Sequence, residues 1–79
     1  MVRSSLKLFF VYVHNNTDVR DDNVVKVLAR TKGRAKNLVS ERERGNIRVG
    51  SVMTRKGLKR YDAEWHALLW GVEPQYVED

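Results

Sequence analysis

Residues 6–14 carry two interleaved apolar sets, Leu6, Leu8, Phe10 and Tyr12 on one side and Phe9, Val11 and Val13 on the other. Aromatic and β-branched side chains at a period of two predict a strand, and two apolar faces predict one covered from both sides. Residues 15–23 turn polar and rich in Asn and Asp, whose side chains bond to nearby backbone, so a long hairpin loop is expected there. A second strand is expected over 24–30, with Val25, Val27 and Ala29 facing one way and Lys26, Leu28 and Arg30 the other.

The period then lengthens. Thr31 suits an N-cap, and Ala35, Leu38 and Val39 follow at helical spacing, with Arg42 extending the stripe through its aliphatic stem. Gly45 stands where a left-handed residue would end the helix. Gly33 in the first turn costs up to about 1 kcal/mol relative to Ala, too little to undo the pattern. A third strand is expected over 47–54, with Ile47, Val49 and Met53 on one face and Val52 on the other, and Gly50 inside it marks a bulge or a close neighbour. Arg55-Lys56-Gly57 reads as a turn. Asp62 then caps a short second helix with the stripe Tyr61, Trp65, Leu68 and Leu69, and Gly71 ends it. Pro74 favours an extended tail from about residue 72, in which Tyr76 and Val77 either form a fourth strand or pin the tail down. The fold class is α+β: a small antiparallel sheet of three or four strands, one helix packed across a face, and a short C-terminal helix.

Seventy-nine residues make one domain, and 42% hydrophobic residues supply its core. With no cysteine, disulfides and thiolate metal sites contribute nothing. No stretch reaches the roughly 18 apolar residues of a membrane span. His14-Asn15-Asn16 follows the first apolar run where a signal peptide would place small residues, so a cytoplasmic location is expected and the sequon Asn15-Asn16-Thr17 is read as chance.

Charge changes the picture more than composition does. Residues 30–60 hold eleven Lys and Arg against Glu41 and Glu43, a balance of +9, whereas residues 61–79 hold five acids and no Lys or Arg. The cations expected to meet nucleic-acid phosphates are Arg30, Lys32, Arg34, Lys36, Arg48, Arg55, Lys56, Lys59 and Arg60, centred on Lys32, Arg34 and Lys36 and joined into one patch if the turn after the third strand lies beside the first helix. Residues 14–60 contain no Phe, Tyr or Trp for bases to stack on, which favours contact with the DNA or RNA backbone. Two alternatives stand beside it. Trp70, Val72, Tyr76 and Val77 would suit a protein partner or a homodimer, and the acidic tail could instead lie over the chain's own basic surface.

Catalytic constellations are not expected. Asp18, Asp21 and Asp22 lack the alternation of a calcium loop, His14 and His66 lack the spacing of a metal-binding helix, and Ser4, Ser5, Ser40 and Ser51 lie in no nucleophile elbow. Thr31-Lys32-Gly33-Arg34 could offer a phosphate the start of a helix, without being a Walker loop. The expectation is therefore a non-enzymatic binding protein with no cofactor, metal, membrane or small-molecule substrate.

The stretch Val25-Lys26-Val27-Leu28-Ala29-Arg30-Thr31-Lys32-Gly33-Arg34-Ala35 resembles a pattern of small bacteriophage and prophage accessory proteins, in which a hairpin leads into one helix and a third strand. The resemblance spans about half the chain and leaves out the Trp-bearing C-terminal segment. It implies an accessory protein of the host-cell cytoplasm that acts by binding nucleic acid or, as a module or inhibitor, a host protein.

Overall fold

A computed structural model describes residues 6–17, 22–43 and 45–79. Asp18, Asp21, Arg44, Ser4 and Ser5 lie outside the described residues. The elements are β1 (Lys7–Asn15), β2 (Asn23–Ala29), α1 (Lys32–Arg42), β3 (Ile47–Met53), α2 (Arg55–Tyr61), α3 (Ala63–Leu69) and β4 (Tyr76–Val77).

The α+β class holds, with one sheet in the order β3-β1-β2-β4. β1 pairs antiparallel with both β2 and β3, so the strand with two apolar faces lies inside the sheet. β4 is the fourth strand and runs parallel to β2, which makes the sheet mixed and not purely antiparallel. The cause is topological. Leaving β3 at one edge, the chain crosses through α2 and α3 and returns at the opposite edge, entering beside β2 in the same direction.

The pleat of β1 and β2 splits the core in two. Phe9, Val11, Val13, Val25, Val27 and Ala29 meet Ala35, Leu38 and Val39 of α1. On the other face Phe10 and Val24 meet Leu58 of α2 and Leu69 of α3, with Leu8, Tyr12, Met53 and Trp65 around them. The molecule is thus three layers: α1, the sheet, and the α2–α3 pair.

β3 departs from a simple alternation. Val11 pairs with Val52 and Val13 with Val49, so Gly50 and Ser51 together oppose Tyr12. This bulge shifts the phase by one residue. Val52 consequently packs on the α1 side with Ile47 and Val49, and Met53 turns to the α2 side, the reverse of the expected assignment for those two. The His14 ring lies close over Gly50, where a Cβ would come within 2.4 Å of its Nε2, so any larger residue would have to displace the ring.

Three local expectations are corrected. Residues 55–57 do not turn the chain: the Thr54 hydroxyl accepts from the Gly57 N–H at 3.2 Å and starts α2, which Leu58 then holds against the sheet. The stripe Tyr61, Trp65, Leu68, Leu69 is broken. Asp62 closes α2 and opens α3, its own N–H bonding to the Leu58 carbonyl and its side chain accepting from the Trp65 N–H, so Tyr61 belongs to a different helix and is 74% exposed. Leu68, too, faces outward at 66% exposure. Finally, Gly45 takes the left-handed conformation at φ 99°, but two residues beyond Glu43, the extended cap of α1, where it redirects the chain into β3.

Leu58 is the one buried residue of α2 and is fully enclosed. Leu58→Ala is expected to lose about 2–5 kcal/mol, a large share of the roughly 5–15 kcal/mol of a typical domain. Urea denaturation followed by tryptophan fluorescence measures it; a loss well under 1 kcal/mol would mean that α2 does not dock as described.

Candidate functional site

The nine candidate cations do not form one patch. Arg30, Lys32, Arg34 and Lys36 lie at the start of α1, while Arg55, Lys56, Lys59 and Arg60 lie on α2. Because α1 and α2 cover opposite faces of the sheet, these are two surfaces that point apart. Arg48 is separate from both, on the edge strand β3, paired in register with His14.

The first surface is partly neutralised from within. β4 lays the acidic tail along β2, with the Gln75 N–H bonding to the Lys26 carbonyl at 2.7 Å and the Glu78 N–H to the Leu28 carbonyl at 2.8 Å. The Glu78 carboxylate accepts from the Arg30 N–H at 2.8 Å and from the Arg34 guanidinium at 2.9 Å, with the Arg30 guanidinium 3.4 Å away. The Arg30 side chain also donates to the Asp79 carbonyl. Hydrogen bonding from the Arg30 backbone, and then from Arg34, holds the Glu78 carboxyl below the usual carboxylate range. Glu78 is thus anchored with its side chain only 11% exposed. Lys32 and Lys36 are exposed and make no ion pair among the described residues.

The second surface is different. All four cations of α2 are exposed, and none has an acidic side chain at ion-pair distance among the described residues. The Arg55 guanidinium lies 3.8 Å from the centre of the Trp70 ring, a cation–π contact that fixes both side chains. The His66 ring stacks on Trp70 at 5.8 Å. Thr54, Arg55, Lys56 and Lys59 line an open hollow of about 560 Å³ on this side.

The residues considered for a protein partner also separate. Trp70, Val72 and Val77 are 50%, 46% and 45% exposed. Tyr76 instead packs against the α1-side core and donates its hydroxyl to the Glu43 carboxylate. The exposed apolar side chains that sequence reasoning passed over are Tyr61 and Leu68, which the expected stripe had placed inward.

Sequence reasoning also missed Lys26. It is 8% exposed, and its Nζ donates to the carbonyls of Leu69, Trp70 and Val72 at 3.1, 3.2 and 2.7 Å. These carbonyls lie at the end of α3 and in the turn just after it, where backbone acceptors lack helical partners and the helix dipole favours a cation. The signal was a lone lysine between Val24 and Leu28 on a face otherwise apolar. Lys26→Met should cost about 1–3 kcal/mol, since it orphans these acceptors. Equal thermal stability of the two proteins would show that solvent serves the carbonyls as well.

Near the hairpin, His14 Nδ1 lies 2.8 Å from the Asp22 carboxylate, and this contact lowers the Asp22 pKa, helped by the Asn15 N–H and by Arg48 nearby. Among the described residues no group of three His, Asp or Glu side chains could hold a metal ion, and no helix is long and apolar enough to cross a membrane. Comparison with protein-family models, curated proteins and solved structures finds no match for this chain.

Two tyrosines report on the packing. Burial, then the hydrogen bond to Asp62, pushes Tyr12 up to about 12, and burial, then Glu43, does the same for Tyr76. In the unfolded chain a phenol ionises near pH ~10. The folded state therefore keeps protons that the unfolded state gives up, and the tyrosines' contribution to stability should be full below about pH 10 and be lost between about pH 10 and 12. Denaturation midpoints across that window, with Tyr12→Phe and Tyr76→Phe each flattening the slope, check this; a slope unchanged in both variants would contradict it.

Proposed function

We propose that the protein is a non-enzymatic nucleic-acid-binding protein whose constitutive contact surface is α2, with Lys56, Lys59 and Arg60 on phosphates and Arg55 held in place by Trp70. The observation that carries this reading is the uneven neutralisation of the two basic surfaces. At α1, the central Arg34 is engaged by Glu78, together with Arg30. At α2 four exposed cations stand within seven residues with no ion-pair partner among the described residues. A cationic surface of this density draws in phosphates and releases counterions, which binds DNA or RNA backbone with little regard to base sequence. Trp70 already carries Arg55 over its ring, so it supports the cationic surface and is not a bare platform for bases. The hairpin–helix–strand resemblance at residues 25–35 agrees with an accessory role of the phage type.

A second reading, a protein-partner surface, draws support from Leu68, Trp70 and Val72, all exposed and close in sequence at the end of α3. Its signature would be self-association or partner capture that survives nuclease treatment and disappears in Leu68→Ser.

Lys56→Ala/Lys59→Ala/Arg60→Ala should weaken binding to a labelled duplex and flatten the plot of log K against log salt by about 0.9 for each phosphate that the variant no longer neutralises. Lys32→Ala/Lys36→Ala should do much less. Fluorescence anisotropy over a salt series measures both; wild-type affinity in the α2 triple variant would sink the proposal.

A further inference from the structure

The segment 75–79 is the element of the sheet with the weakest hold and the strongest charge. β4 contributes two residues to the sheet, at its edge, and is tied to β2 through the Gln75 and Glu78 N–H groups. A two-residue edge strand opens at a lower free energy than the central strands of the sheet. Tyr76 packs on the apolar core, but Glu78 covers charge. The Glu78 carboxylate sits where the Arg30 backbone N–H and the Arg30 and Arg34 guanidinium groups converge. Backbone N–H and arginine forks converging on one anionic group are also what holds a phosphate oxygen. Beside it, a hollow of about 550 Å³ is walled by Thr31, Gly33, Arg34, Asn37 and Leu38, with Glu41 and Glu78 at its side.

We propose that segment 75–79 is an autoinhibitory strap: Glu78 occupies the phosphate position of a second nucleic-acid site centred on Arg30 and Arg34, and displacement of its carboxylate opens that site. The inference rests on the reading of α2 as a phosphate-binding surface and adds regulation to it. With the Glu78 charge withdrawn, Arg30 and Arg34 face the vacated position, and Glu41 is the acid left among the residues lining the hollow. Since α1 and α2 cover opposite faces of the sheet, opening the strap does not enlarge one site. It creates a second one. The closed protein holds one nucleic-acid segment and the open protein joins two.

The strap has its own latch. The Tyr76 hydroxyl bonds to Glu43, and Tyr76 also packs on the α1-side core, so β4 can hold its place while the Glu78 carboxylate is exchanged for a phosphate.

Glu78→Gln separates charge from pairing, because the amide keeps the backbone bond and the side-chain shape and removes the negative charge. Titration of wild type and Glu78→Gln with a short labelled DNA duplex, read by anisotropy over a salt series and by sedimentation for stoichiometry, is the experiment. Wild type should bind one duplex and Glu78→Gln two, the added site showing its own salt slope of about 0.9 per neutralised phosphate. Adding Arg34→Ala to Glu78→Gln should return the stoichiometry to one. If Glu78→Gln keeps one duplex and the wild-type slope while wild type binds through α2, the strap is structural and only this inference falls. Binding by Glu78→Gln but not by wild type would uphold the strap and overturn the α2 reading. Binding by neither would overturn both.

Discussion

β1 is apolar on both faces, and the rest of the structure follows from covering it. Phe9, Val11 and Val13 need one layer and Leu8, Phe10 and Tyr12 need another, so a 79-residue chain must place helices on both sides of a single sheet. α1 is long enough to cover its side alone. The other side is closed by two short helices joined at Asp62, and each contributes one fully committed apolar residue, Leu58 and Leu69. With so little core on that side, polar fastenings carry weight: Asp62 caps both helices and accepts from the Tyr12 hydroxyl, and Lys26 ties the end of α3 to the central hairpin.

The same layering decides what the charge can do. The basic middle third is continuous along the chain but divided in space, because β3 intervenes between α1 and α2 and the chain changes sides after it. The negative C-terminal segment then returns to only one of the two cationic surfaces. Glu41 within α1 and Glu78 beside it thus leave α1 more neutralised than α2, whose seven residues include no acid.

Where local pattern and burial coincide, the structure was legible from residues alone. The faces of β1 and β2, the Thr31 cap, the apolar stripe of α1 and the close neighbour at Gly50 all follow from spacing and chemistry within a few residues. The misread features depend on distant partners. Arg55-Lys56-Gly57 looks like a turn because it is polar and contains glycine, and only the Phe10 face of the sheet, more than forty residues away, makes Leu58 the anchor of a helix. The phase of β3 reverses at the bulge, which no alternation count across residues 47–53 can register. The division of the cations had no local sign at all, since it follows from which side of the sheet each helix covers.

The bulge at Gly50 and Ser51 also bears on how copies of this chain behave when crowded. β3 is an edge of the sheet, and a long regular edge is a template on which a second chain can add a strand. Here the ladder is interrupted mid-strand, the local twist is raised, and the charged Arg48 stands exposed just before the interruption. A bulge and an exposed charge are the features by which edge strands disfavour the addition of a further strand.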